Sequence, residues 1–323
     1  MGRINRVLAI GAALGATALF AAAPALAAAP PPTSPPTATT GVASSITYQS
    51  ATLSGSVKPG DESTEVYFQY GTTIGYGSQS APTQVPAGTA AVPISVPISS
   101  LTADTVYHFR LVATNASGTS LGADKTFGTA KIPLSLAITG APNPVPFGGA
   151  VTIEGTLSGT GDGNAPVQLQ ETPFPYTTAF ANIGNPELTL SNGTFAFNVL
   201  GLALNTEYRV VSGDVASAAV PVSVAVGVTL NANATGTKQH PTVKFSGTID
   251  PAEPSARIGF ERLVGTKWTL VAGTVAAPVA TNGLVNFGET VHIRHGGFFR
   301  ALVLSVEGSH VAGYSPTVLV KIR

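Results

Sequence analysis

Leu53-Ser54-Gly55, Ile153-Glu154-Gly155 and Phe245-Ser246-Gly247 each set a glycine two residues after a large apolar side chain. An aromatic residue follows at nearly constant distance: Tyr107 is 52 residues after Gly55, Tyr208 is 53 after Gly155, and Phe299 is 52 after Gly247. A spacing that recurs three times marks a duplicated structural unit. The text around these residues alternates apolar and polar side chains with period two, which is the mark of half-buried antiparallel strands. The expectation is an all-β chain of three tandem sandwiches, over residues 41–130, 131–225 and 226–323.

Within the first unit, Val66, Phe68 and Tyr70 share one face of a strand that Gly71 ends. Tyr107, Phe109, Leu111 and Ala113 share a face of another, with His108 and Arg110 turned to water. Pro93 and Pro97 each lack a ladder donor, so Val92 to Ile98 is expected at a sheet edge. In the second unit Asn192-Gly193 is a tight-turn signal and Gly161-Asp162-Gly163-Asn164 reads as a loop. The third repeats the plan, with Asn282-Gly283 in the corresponding place. No segment after Pro30 has a helical period.

The first residues carry the pattern of an export signal. Arg3 and Arg6 precede an apolar run from Val7 to Phe20, and Ala25-Leu26-Ala27 is the small-x-small site a signal peptidase cuts. Cleavage after Ala27 and retention as an anchor are the two alternatives, and Pro24 interrupts the run that an anchor would need. Ile4 and Asn5 separate the arginines, which excludes a twin-arginine signal. Residues 28–40 are a proline- and threonine-rich tether. No second apolar stretch of spanning length follows, so no transmembrane span is expected after signal removal. The chain has no cysteine, hence no disulfide framework and no lipid-attachment thiol.

Charge is graded along the chain. The three units hold 3, 2 and 9 basic residues against 5, 6 and 5 acidic ones, so the third is near +4 beside acidic neighbours. Such an end can attract an anionic cell-wall or extracellular polymer. The alternative is that Lys238, Lys244, Arg257, Arg262 and Lys267 are ordinary solvated strand and turn positions. The acidic first two units argue against nucleic-acid binding.

Ala51-Thr-Leu-Ser-Gly-Ser-Val-Lys-Pro59, Val66-Tyr-Phe-Gln-Tyr-Gly71 with Tyr76-Gly77, and Leu101-Thr-Ala-Asp-Thr-Val-Tyr-His-Phe-Arg110 together resemble a bacterial fibronectin type III domain. Leu101, six residues before Tyr107, matches the family's tyrosine corner. The resemblance implies that the Tyr107 phenol bonds backbone near Leu101 and staples the inter-sheet loop. The second unit carries Leu202 six before Tyr208; the third carries Ile293 six before Phe299, which has no hydroxyl to give. Units two and three are similar to immunoglobulin-like domains of exported bacterial proteins. The resemblance implies an extracellular binding, spacing or adhesive module without naming a ligand.

No residue set argues for catalysis or a cofactor. His292 and His295 are three apart, which in a strand turns them to opposite faces, with Gly296-Gly297 following. His108, His240 and His310 stand alone in sequence. Asp61-Glu62 and Asp250-Pro-Ala-Glu253 lie in turns rather than as a pair flanking a sugar. No glycine-flanked serine elbow precedes a helix, and Asp162-Gly163-Asn164 lacks the further acids of a calcium loop. Tyr67, Tyr76 and Trp268, the single tryptophan, are the candidates for stacking a ligand, with core or rim packing as the alternative for each. The chain thus reads as an exported, non-catalytic binding and spacing protein, secreted or at the cell surface; the alternative is a polysaccharide-binding accessory to a separate hydrolase.

Overall fold

The computed structural model describes residues 33–237, 239–253, 255–277, 284–304 and 308–322. The export signal, the turn at Asn282-Gly283, and Lys238 lie outside the described residues. Among those described there is no helix, and so no helix long and apolar enough to cross a membrane. Nearly all pairing is antiparallel, in successive pairs of sheets. In the first pair, Thr37–Ser44, Ser50–Lys58 and Val92–Ser99 form one sheet. Thr64–Gly71 and Val106–Asn115 centre the other. In the second, Ser135–Ala141, Ala150–Ser158 and Thr194–Leu200 face a sheet centred on Pro166–Pro173 and Thr206–Ser212. In the third, Asn231–Gly236, Pro241–Asp250 and Val285–His292 face Lys267–Val275, Arg257–Val264 and Gly297–Leu304.

The chain divides into two compact units. One holds the described residues up to Ser44 with Thr52–Ile98 and Tyr107–Phe127; the other holds Ser45–Ala51, Ser99–Val106 and the chain from Gly128. In the second unit each core draws on both of its sheets: Val151, Ile153 and Leu157 meet Val167, Leu169, Tyr208 and Val210. Val243, Phe245 and Ile249 likewise meet Ile258, Phe260, Phe299 and Val303. In the first, Phe68 and Phe109 lie 6.2 Å apart with neither ring exposed.

Two sequence readings change. Part of the expected tether is strand: Thr37–Ser44 pairs with Ser50–Lys58. The Ser34 amide donates to the Gly60 carbonyl at 3.1 Å, and the Asn115 side chain donates to the Ser34 carbonyl at 2.9 Å. The prolines at 35 and 36 end the tether because the Thr-Ala alternation after them fits a pleated edge. Second, the aromatic repeat is out of register. Gln69 faces Arg110, Gln170 faces Arg209 and Glu261 faces Arg300, so Phe109, Tyr208 and Phe299 are equivalent and Tyr107 precedes that position by two. A shift of two preserves side-chain facing, which is why Tyr107 is still buried and stacked on Phe127 at 5.6 Å. The Tyr208 phenol, expected at a corner, lies with the side chains of Glu171 and Thr206. It is enclosed beside the Glu171 carboxyl and is pushed up to about 12, by burial first and by that charge second. Leu202 is tied instead to the preceding turn, accepting from the Gly148 amide at 2.8 Å and donating to the Gly149 carbonyl at 3.1 Å. Ile293 donates to the Pro241 carbonyl at 3.1 Å, and Phe299 is core, 5.4 Å from Phe245. Leu101 donates to the Gln49 carbonyl at 3.0 Å. Val92–Ser99 does lie at a sheet edge, and Gly193 takes a positive φ of 79° in the Asn192-Gly193 turn.

The repeated glycines have one physical cause. A Cβ on Gly55 would sit 2.8 Å from the Thr39 carbonyl of the neighbouring strand, and one on Gly155 2.6 Å from that of Ala137. On Gly247 it would meet the Thr229 carbonyl. Across the sheet Gly155 faces Phe195 and Gly247 faces Phe287, whose rings fold over the glycine into the space a side chain would need. Neither a carbonyl in a ladder nor a core ring can retreat cheaply. Gly155→Ala is therefore expected to destabilise the second unit by about 2 kcal/mol in urea unfolding; an unchanged midpoint would refute the close-approach account.

Candidate functional site

The outward faces of the three larger sheets carry the same side-chain device. Arg110, Arg209 and Arg300 each follow a buried aromatic residue, so strand alternation turns each guanidinium outward. Cross-strand register then sets an acceptor opposite. Arg110 Nε donates to Gln69 Oε1 at 2.9 Å, Arg209 Nε to Gln170 Oε1 at 2.7 Å, and Arg300 Nε to Glu261 Oε2 at 2.7 Å. Each guanidinium also lies over an aromatic ring: 4.7 Å from the Tyr76 centroid, 4.3 Å from Phe180, and 4.4 Å from Trp268. Arg300 is held from a further side by Tyr314 at 4.1 Å. Its pair with Glu261 is largely shielded, with side chains 22% and 15% exposed, so charge and ring attraction both act with reduced screening there.

In the first unit this device joins a polar cluster. Asp124 Oδ2 lies 2.8 Å from His108 Nδ1, and Oδ1 accepts from the Tyr76 phenol at 2.9 Å. Hydrogen bonding from His108, more than any other cause, holds the Asp124 carboxyl below the usual range. Tyr76 itself takes a positive φ of 60°, a strained position for a side-chain-bearing residue that the bonded Asp124 fixes. The cluster ties three chain segments on the sheet surface.

The second unit also holds a buried contact between a glutamate and a histidine. Glu253 Oε1 lies 3.1 Å from His310 Nδ1, with side chains only 7% and 6% exposed. Glu253 does lie in the loop between Pro241–Asp250 and Arg257–Val264, but its carboxyl is buried rather than turned to solvent. His310 Nε2 meets the Ala203 carbonyl at 2.8 Å, and its ring packs edge-on to Phe147 at 5.8 Å.

Of the expected stacking residues, Tyr76 and Trp268 are committed to arginines and Tyr67 is half-buried opposite Val112. They are not brought together in one site. Trp268 does share a sheet with Leu270, Phe298 and Tyr314, all exposed. His292 and His240 have ring centroids 6.4 Å apart, and His295 contributes its carbonyl to Arg262. Among the described residues no cluster of three or more His, Cys, Asp or Glu is arranged to hold a metal ion. The arginine device was legible as an aromatic-arginine dipeptide occurring three times, in Phe109-Arg110, Tyr208-Arg209 and Phe299-Arg300. Nothing in the spacing pairs Glu253 with His310. Comparison with protein-family models and with curated protein sequences finds no match.

Two outcomes test this geometry. Arg300→Lys keeps the charge but loses the planar fork and stack, so stability of the second unit should fall by about 1 kcal/mol in thermal or urea unfolding. Asp124 has a depressed carboxyl, so its tie is complete above the ordinary value of about 3.9 and is lost as pH falls through the lowered one. A carboxyl-carbon NMR titration should show this, and His108→Ala should return the midpoint toward the ordinary value.

Proposed function

We propose that the protein is an exported, non-catalytic binding and spacing protein of the bacterial cell surface or extracellular space. In this reading the first sandwich is fibronectin type III-like and the next two immunoglobulin-like. The observation that carries the spacing role is the joint between the second and third sheet pairs. Its connecting strand is hydrogen-bonded on both sides. Val145 and Phe147 amides donate to Ser223 and Ala225 carbonyls at 2.8 and 2.9 Å, while the Val311 amide donates to the Val224 carbonyl at 2.8 Å. Asn205 closes the joint. Its amide donates to the Ser309 carbonyl at 2.8 Å, Nδ2 donates to the Gly308 carbonyl at 2.9 Å, and Oδ1 accepts from the Val224 amide at 2.7 Å. A linker with its backbone bonds all committed has no slack to swing, and a fixed angle between modules is what a spacer requires.

Binding is assigned to the basic third module. Glu253 and Glu261 are committed to internal pairs, while Lys244, Arg257, Lys267, Arg294 and Lys321 are exposed. These exposed cations favour an anionic polymer. A second reading, polysaccharide capture, is favoured by the exposed Leu270, Phe298 and Tyr314 around Trp268.

The absence of cysteine makes the spacing test direct. Spin labels at Glu187→Cys and Lys267→Cys, both exposed, should give one narrow distance distribution at about pH 6, and Asn205→Ala should broaden it. A broad distribution in the parent would sink the spacer. Retention of the full mature protein on anionic polymer should fall with salt. If salt has no effect but Trp268→Ala abolishes pull-down on insoluble polysaccharide, the second reading stands instead.

A further inference from the structure

We infer that one face of the third module, the outer side of the sheet built on Lys267–Val275, Arg257–Val264 and Gly297–Leu304, is a docking surface for an anionic lipid bilayer. The inference rests on the reading of this module as the binding one and adds a lipid partner to it.

Register places this face. Arg300 sits opposite Glu261, as Arg209 sits opposite Gln170 and Arg110 opposite Gln69. Two positions before the arginine, where outward facing recurs, the first two modules carry His108 and Glu207 and the third carries Phe298. Beside Arg257–Val264 runs a strand of nine residues, Lys267–Val275, where the second module has only the two-residue strands Ala181–Asn182 and Glu187–Leu188. It adds Leu270 opposite Glu261 and Val275 opposite Arg257. Leu304 also faces Arg257, Leu319 faces Phe298, and Tyr314 lies against Arg300. These six large apolar side chains are between 46% and 63% exposed. A soluble domain rarely leaves such a face to water unless something binds there.

Charge selects the occupant. Glu261 is the one acid on the strands of this sheet among the described residues, and Arg300 holds it at 2.7 Å, so the centre of the face has no net charge. The exposed charges around it are positive. Arg257 lies at one end of its strand, Lys267 at the turn that closes the other end, and Lys321 two residues past Leu319. Leucine, valine and phenylalanine offer a sugar nothing to hydrogen-bond, and Trp268 and Tyr314 each give a ring face to Arg300. A second copy laid on this face would set a cationic rim against a cationic rim. An anionic bilayer suits all three kinds of group. Its phosphates attract the cations, its acyl boundary takes the aliphatic side chains, and the Trp268 and Tyr314 rings match headgroup depth.

Sedimentation of the mature protein with lipid vesicles tests this. Vesicles of phosphatidylglycerol in phosphatidylcholine should carry it down, and phosphatidylcholine alone should not. Trp268 is the single tryptophan of the chain, so its emission reports this face, and bromine on the acyl chains of the anionic vesicles should quench it. Phe298→Ser combined with Leu319→Ser, both at exposed positions, should weaken vesicle binding at least about tenfold. Equal sedimentation with both kinds of vesicle overturns the anionic lipid. No sedimentation, with the parent still retained on anionic polymer, overturns the bilayer and leaves the binding role intact. Loss of both overturns both. Without vesicle binding, a dimer that the double variant dissociates, or polysaccharide capture that it abolishes, gives the face to that partner and overturns the bilayer. Should the double variant fail to fold, Trp268 quenching in the parent decides: its presence supports the inference and its absence overturns it.

Discussion

A backbone carbonyl pressed against a glycine on the next strand is the constraint from which the rest of this architecture follows. At Gly55, Gly155 and Gly247 the missing Cβ lets the outer strand of the smaller sheet close on its neighbour. In the second and third sheet pairs it also leaves room for a phenylalanine ring from the other side. That ring fills the middle of the core, and the opposing sheet must then present its own large side chains, Leu169 and Tyr208 or Phe260 and Phe299, in matching alternation. With no disulfide to hold the sheets, packing at these positions carries the stability.

Alternation forced inward by the core fixes what faces out. A strand that buries Phe109, Tyr208 or Phe299 must send the next side chain to the surface, and in each case it is arginine. The register that packs the core sets Gln69, Gln170 or Glu261 opposite it. The surface device is thus a by-product of the same ladder. Its aromatic partners vary because they come from the loops and neighbouring strands that the core does not constrain.

The β class and the strands were legible because burial on one face writes period two directly into the text. The edge position of Val92–Ser99 was legible because proline cannot donate. Register was not: a slip of two residues changes no side chain's facing, so Tyr107 passed for the equivalent of Tyr208 on spacing alone. Part of the tether was misread because its prolines end just before Thr37, and composition averages over such a boundary. The pairing of Glu253 with His310 was out of reach for a different reason. It joins residues 57 apart in two loops, where neither follows an alternating pattern that would link them.

Asn205 concentrates the joint in one amide group. Its oxygen and nitrogen face opposite kinds of partner, an N–H of the connecting strand and a carbonyl of the third module. Hydrolytic deamidation would preserve the first bond and turn the second into two oxygens in opposition, one of them charged. A change of one atom in a single side chain would thus loosen the fastening between two modules without touching the core of either.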